Sequence, residues 1–342
     1  MPMSRARQLV PDLMIVSPHF DKYHERSEQV MNLLKGISPD IEQLSVDEAF
    51  IDISHYPEPS IEWARRIQKR INQELLLPCS LGGAQNKLVA KIANNIGKSR
   101  HQGSTYPNAI HIIQSGKEKE FLFPLRIREL YGVGKQTEKQ LQALGITHIG
   151  QLAQYDVEQL VYLLGKNGRS LHQYANGIDE RPVESGSDKA KSISAETTFN
   201  QDIQELGKIK SALKQLSDRV ARRAREKEQK GSTIGIKMRY PDFSTLTRQT
   251  TLRMATDRPD DLYNTALQLF IQNWDSQTAI RLIGVSLSGF KEEEDHQLSL
   301  WGQSQKNKQE EILLKSIDEL NKKFGSQTIK KGSYFGKEEK EE

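Results

Sequence analysis

The chain has 342 residues, enough for two or three domains that each bury a core. Its composition is 36% hydrophobic and 27% charged, with a formal net charge of +4, and no apolar run approaches the ~18 residues of a membrane span. A single cysteine, Cys79, excludes an internal disulfide and a cysteine-built zinc site, which fits a reducing cytoplasm; the opening Met1 to Arg7 is too short and too weakly apolar to be expected as a secretory signal.

Residues 19–35 predict an amphipathic helix, with Tyr23, Ser27, Val30, Met31 and Leu34 at helical spacing. From Ile41 to Ile53 two alternating stretches predict a hairpin. Residues 60–77 predict a helix with Ile61, Ala64, Ile67, Ile71 and Leu75 on one face, followed by a strand from Cys79 to Ala84 and a helix from Lys87 to Ile96. This alternation predicts a small α+β layer with one sheet face buried. From 124 to 177 the pattern is helical with glycine-containing turns, and 178–191 reads as a polar linker. Residues 192–290 predict a second α+β unit, with a helix through Ile209, Leu213, Leu216 and Val220 and strands at 233–240, 244–252 and 280–288. A charged tail follows at 291–342, expected to be mobile at least in part. Within it, Ile312, Leu313, Ile317, Leu320 and Phe324 lie at near-helical spacing.

Charge is unevenly distributed. Residues 206–240 carry eleven Lys and Arg against three Asp and Glu. Such a block reads either as a solvated helix face or as a phosphate-binding face, whose affinity would come from displaced counterions.

Asp47 and Glu48 interrupt the two apolar stretches of the hairpin. In a regular strand neighbours point to opposite faces, whereas at a tip both carboxylates can turn to one metal centre. Phosphoryl transfer to a hydroxyl uses two such ions bridged by carboxylates; the alternative is a solvated turn. Gly132-Val133-Gly134-Lys135 with Thr137 suits a tight turn into a helix whose free backbone N–H groups bind phosphate without reading bases. On the predicted strand 233–240, Ile234, Ile236, Met238 and Tyr240 alternate with Lys237 and Arg239. The basic face, joined by Arg248 from the neighbouring strand, is expected to follow a phosphate backbone.

Several of these stretches share one resemblance. Ser45-Val46-Asp47-Glu48-Ala49-Phe50-Ile51-Asp52 resembles the palm signature of Y-family, translesion-type DNA polymerases of the polymerase IV-like group. Pro11-Asp12-Leu13, Asp21-Lys22-Tyr23 and Ser27 match before it, and Asn86 to Ala93 with Lys98 matches after it. Leu130 to Thr137 with Leu141, Leu144, Gly145 and Ile146 resembles the helix-hairpin-helix of the family's thumb. Lys191 to Ser194 with Glu196 to Phe199 resembles the entry to its little finger, and Gln297-Leu298-Ser299-Leu300-Trp301 is similar to the sliding-clamp peptide of bacterial polymerases, with Trp301 in place of the commoner Phe.

The resemblance implies an α+β multidomain chain: a partial palm at 1–120, a helical thumb at 124–177, a linker at 178–191, an α+β little finger at 192–290 and a tail with a clamp-binding motif. It implies DNA synthesis across damage, in which Asp47 and Glu48 hold two Mg²⁺ ions and Lys98 contacts the incoming triphosphate. Implied partners are primer-template DNA, dNTP and a sliding clamp, for a cytoplasmic monomer without membrane contact. Lys98 stands before Ser99-Arg100-His101 where the family usually has Pro-Asn-Gly. The family's first metal-binding aspartate and steric gate precede the stretch that matches. A palm without that strand, extending primers poorly or not at all, is therefore expected; the alternative class is a non-catalytic DNA- and clamp-binding protein.

Overall fold

The computed structural model describes residues 1–100, 106–186, 190–290, 312–314, 316–320 and 323–325, in two compact units, Met1–Asp188 and Lys189–Glu342. The clamp-like peptide Gln297, Leu298, Leu300 and Trp301 lies outside the described residues.

In the first unit, α1 (Met3–Leu9) and α2 (Phe20–Lys35) lead into the hairpin β1 (Ile41–Gln43) and β2 (Ala49–Ile51), paired antiparallel with Ile41 opposite Ile51. There follow α3 (Ser60–Glu74), β3 (Leu81–Gly83), α4 (Lys87–Ser99) and β4 (Ile110–Ile112). Met31 and Leu34 of α2, Ile41, and Trp63, Ile67 and Ile71 of α3 form one core, so the apolar spacing of both helices does become their buried face. Two expectations need correction. The third helix stops at Glu74 rather than 77, because Leu76 takes a left-handed φ of 56°. The strands do not form one sheet: β1–β2 is one two-stranded ladder, and β3 pairs in parallel with β4, a strand the sequence reading passed over. Helix α4 lies tight on β3, where a Cβ on Gly82 would stand 2.0 Å from the Ala90 carbonyl oxygen.

Beyond α5 (Glu118–Leu122) and a 3₁₀ turn at Ile127–Glu129 come α6 (Lys135–Ala143), α7 (Ile149–Gln154), α8 (Val157–Leu164) and α9 (Lys166–Ala175). Leu88, Val89 and Ile92 of α4 share a single core with Leu122, Leu130, Leu141, Leu160 and Leu171. Packing is therefore continuous across the boundary expected near 120–124. The start of the expected linker is also held down: Asp179 is buried, and the Glu184 N–H donates to Glu42 Oε2 at 3.0 Å.

The second unit is a four-stranded antiparallel sheet in the order β5-β8-β6-β7, formed by β5 (Ser192–Ile203), β6 (Gly231–Arg239), β7 (Thr245–Thr256) and β8 (Ile280–Phe290). Helices α10 (Leu206–Glu226) and α11 (Pro259–Asn273) pack with its apolar residues in one core. Ile193, Ile234, Ile236, Met238, Val285 and Leu287 meet Ile209, Leu213, Val220, Leu262 and Phe270 there. Each of these fully buried side chains contributes roughly 1.5–3 kcal/mol of transfer free energy, which makes this sheet face obligatory. Strand β5 and helix α11 are additions to the sequence reading.

Candidate functional site

Asp47 and Glu48 sit where the β1–β2 ladder ends. The Glu48 carbonyl accepts from the Leu44 and Ser45 N–H groups at 2.9 and 3.3 Å, closing a tight tip. Ser45 Oγ donates to Asp47 Oδ1 at 2.6 Å and accepts from the Asp47 N–H at 3.3 Å, so the hydroxyl folds the turn around the exposed Asp47 carboxylate.

Helix α4 holds this hairpin at two heights. Lys87 Nζ lies 2.5 Å from Glu42 Oε2 on β1, and one turn later Lys91 Nζ lies 2.6 Å from Glu48 Oε2 at the tip. Spacing of four along a helix puts both ammonium groups on one stripe. Lys87 also faces the Phe50 ring, and Lys91 the Tyr131 ring, each at 5.8 Å. Burial pushes the Glu42 carboxyl up, but the Lys87 hydrogen bond, the Glu184 N–H and the charges of Lys87 and Arg181 hold it below the ordinary value. Lys98 falls on the same stripe, seven residues beyond Lys91 and roughly 10 Å further along the axis, with its side chain exposed. Beyond Asp47, Glu48 and Lys98, which the sequence singles out, the structure brings Lys87, Lys91 and Glu42 to this hairpin. The spacing of the two lysines was the available signal.

The first turn of α4 is anchored by the segment after α9. Asn86 caps the helix, accepting from the Val89 N–H at 3.0 Å, and its Nδ2 donates to the Gly177 carbonyl at 2.8 Å. The Leu88 N–H donates to Asp179 Oδ2 at 3.1 Å, and Arg181 clasps the same carboxylate at 2.7 and 2.9 Å. Towards the other end of α4, Cys79 has its thiol pushed up to about 11 by burial, against the lowering effect of Lys98.

The glycine hairpin has the geometry that its sequence implies. Gly132 takes φ +93°, a conformation a side chain would strain, and Gly134 caps α6 in extended backbone. Lys135 is exposed and Thr137 half-buried in the first turn, where helix N–H groups lack intrahelical partners. The hairpin is entered from the 3₁₀ turn at Ile127–Glu129 rather than from a full α-helix.

In the second unit, strand register decides which basic residues share a face. Lys237 pairs with Thr247 and with Gly284, and Gly284 with Glu196, so these four side-chain positions line the face away from the helices. Arg239, two residues on, shares that face and donates to Thr245 Oγ1 at 3.0 Å. Arg248 does not. It stands opposite Ile236, on the helix side, and its Nε donates to Asn273 Oδ1 of α11 at 3.1 Å. The expected grouping of Arg248 with Lys237 and Arg239 is therefore corrected. On the open face the absent side chains of Gly235 and Gly284 leave a trough of about 390 Å³, lined among others by Ser194, Glu196, Lys237, Gln249 and Ser286. Lys237 Nζ reaches across Gly284 to Glu196 Oε2 at 2.8 Å. Among the described residues no group of three or more His, Cys, Asp or Glu is placed to hold a metal ion, and no helix is long and apolar enough to cross a membrane.

Comparison with known proteins covers almost the whole chain. Residues 1–95 match the impB/mucB/samB family, 128–179 the thumb domain of DNA polymerase-iota, and 190–300 the impB/mucB/samB family C-terminal domain. The chain is 35% identical to a DNA polymerase IV of Clostridium kluyveri, over 98% of this chain and 85% of that one. It is 35% identical to a DNA polymerase IV of Bacillus subtilis, over 99% of this chain and 81% of that one. Among solved structures, a Y-family DNA polymerase chimera of Dbh and Dpo4 superimposes with a TM-score of 0.72 at 24% identity, covering 85% of this chain and 82% of that one.

Proposed function

Because the chain belongs to the Y-family DNA polymerases, in the DNA polymerase IV group, we propose that it carries out template-directed DNA synthesis across damaged templates. The reaction joins a primer 3′-hydroxyl to the α-phosphate of a dNTP and releases pyrophosphate. The observation that supports the reading is the hairpin tip, which carries Asp47 and Glu48 at consecutive positions of one turn and is tied to α4 through Lys87 and Lys91.

Asp47 and Glu48 are the residues that would hold Mg²⁺. Two hard oxygen donors at one exposed turn suit an ion that takes one or two carboxylates and completes its shell with water and substrate phosphates. Bound there, Mg²⁺ supplies charge neutralisation for the triphosphate and sharpens the attacking hydroxyl. Ser45 orients the Asp47 carboxylate, and Lys91 fixes that of Glu48. Lys98 offers an exposed point charge to the triphosphate from the same helix face. Gly132, Gly134, Lys135 and Thr137 present backbone N–H groups and a cation to a DNA phosphate, while Lys237, Arg239 and the polar trough around them meet a second stretch of backbone. Arg248, turned to the helix side and bonded to Asn273, is not counted in that surface. Gln297, Leu298, Leu300 and Trp301 would engage a bacterial sliding clamp, with Leu300 and Trp301 as anchors, and the protein would act as a cytoplasmic monomer.

Primer extension with Mg²⁺ and dNTPs, run beside a duplex-binding titration at two salt concentrations, tests this reading. Extension that vanishes in Asp47→Ala while binding persists is the expected result. Salt-sensitive DNA binding with no extension under any condition would support the non-catalytic DNA- and clamp-binding alternative.

A further inference from the structure

We propose that the face of α10 around Arg225 is a docking surface for the chain's own segment 312–320, which clasps the second unit beyond the stretch carrying Gln297 to Trp301. Arg225 lies in the last turn of α10. Its Nε donates to Asp318 Oδ2 at 2.7 Å and its Nη2 to Asp318 Oδ1 at 3.1 Å, while Nη1 donates to the Asp257 carbonyl at 2.9 Å. All three guanidinium nitrogens are engaged, and the two side chains are only 12% and 18% exposed. A two-point fork of this kind fixes direction as well as position, which a single surface ion pair does not.

A buried apolar side chain accompanies the latch. Leu314, one helical turn before Asp318, is 7% exposed, whereas Ile312, Leu313 and Leu320 are 64%, 58% and 40% exposed. The segment therefore buries one edge, carrying Leu314 and Asp318, leaves Ile317 half-buried, and turns Ile312, Leu313 and Leu320 outward. Spacing of four places an apolar anchor and a charged latch on the same side of a helix. The exposed stripe is not the surface that meets α10.

The docking has a topological consequence. Strand β8 ends at Phe290 and the docked segment opens at Ile312, so the stretch between them is tied to the second unit at both ends. Residues 297–301 fall inside it. If that peptide takes a clamp, as proposed above, its reach is set by two anchor points and not by one. The docking itself stands independently of the clamp reading.

Hydrogen exchange on the full chain tests the docking. Asp318→Asn and Arg225→Ala should each raise amide exchange across 312–320 at least fivefold while leaving β6 and β8 unchanged. The double replacement should add nothing further, and the reversed pair Arg225→Asp with Asp318→Arg should restore protection to within threefold. Leu314→Ser, on the tail itself, should release the same amides and covers the case in which an Arg225 variant fails to fold. Unchanged exchange in Asp318→Asn and Leu314→Ser, or fully additive effects of the Arg225 and Asp318 replacements, would overturn the proposal. Binding of a bacterial sliding clamp to Leu300→Ala/Trp301→Ala reports on the peptide alone, so the two readings fail separately.

Discussion

Asp179 offers the sharpest test of how the hairpin tip is positioned, because it joins the chain beyond α9 to the first turn of α4. Its carboxylate is 1% exposed and takes the Leu88 N–H and two guanidinium nitrogens of Arg181. Hydrogen bonds to a charged group contribute roughly 1.5–3 kcal/mol when buried, but Arg181 is 48% exposed, and solvent screening reduces its pair with Asp179 to about 1 kcal/mol. Replacement by Ala also orphans the Leu88 N–H, a further cost of about 1–3 kcal/mol. Asp179→Ala should therefore destabilise the first unit by about 2–4 kcal/mol, and Asp179→Asn, which keeps an acceptor for Leu88, by about 1 kcal/mol.

Urea unfolding followed by Trp63 fluorescence measures this, in a background with Trp274 and Trp301 changed to Phe. Trp63 is buried in the first unit, so it reports on that unit alone. The pH dependence is a second check. Burial pushes the Asp179 carboxyl up, but the hydrogen bonds and charge of Arg181 and the Leu88 N–H outweigh it and hold the group below 3.8. On acidification the unfolded chain takes up its proton first. The stabilisation is thus whole above the unfolded pKa of about 4 and is lost as pH falls through the lower folded value. The Asp179→Asn penalty should shrink between pH 7 and pH 3. A penalty below about 1 kcal/mol for Asp179→Ala, or one for Asp179→Asn that does not change with pH, would mean that the Asp179 carboxylate does not anchor α4.

At the hairpin tip, Asp47→Asn and Glu48→Gln should each lower Mg²⁺-dependent primer extension by about 10²-fold or more without weakening DNA binding; equal losses in both assays would point to misfolding instead. Lys91→Ala should raise the Mg²⁺ concentration needed for half-maximal extension, and Lys91→Arg should recover it, because a cation is what holds Glu48; an unchanged Mg²⁺ dependence in Lys91→Ala would remove that role. In the second unit, Glu196→Gln should tighten duplex binding several-fold by freeing Lys237, and should steepen the log–log salt dependence by roughly one unit of slope. A salt titration that gives identical slopes for both proteins would mean that this face does not meet phosphate.

Legibility in the sequence followed the range of the interaction. The hairpin and its acidic tip were readable because alternation and interruption are local, and the cores of α2, α3 and α10 because helical spacing writes one buried face into each. Strand β5 is hard to read from sequence because its inward positions, Ile193, Ala195, Thr197 and Phe199, mix large apolar residues with a small one and a polar one, which breaks up the alternation. Segment 178–191 has a linker's composition, yet composition cannot show that Asp179 finds a helix N-terminus and an arginine.

Arg248 marks the limit most clearly. Its neighbours Thr247 and Gln249 line the open face, so a one-residue change of register would put the guanidinium in the trough beside Lys237. What fixes the observed register is the burial of Ile234, Ile236 and Met238 against the helices, together with the irregularity in the β6–β7 pairing between Gly231 and Thr233. Neither is a property of residues 244–252 taken alone. A basic residue on an edge strand is assigned to a face by the strand it pairs with, and the chemistry of the candidate DNA surface therefore rests on core packing on the far side of the sheet.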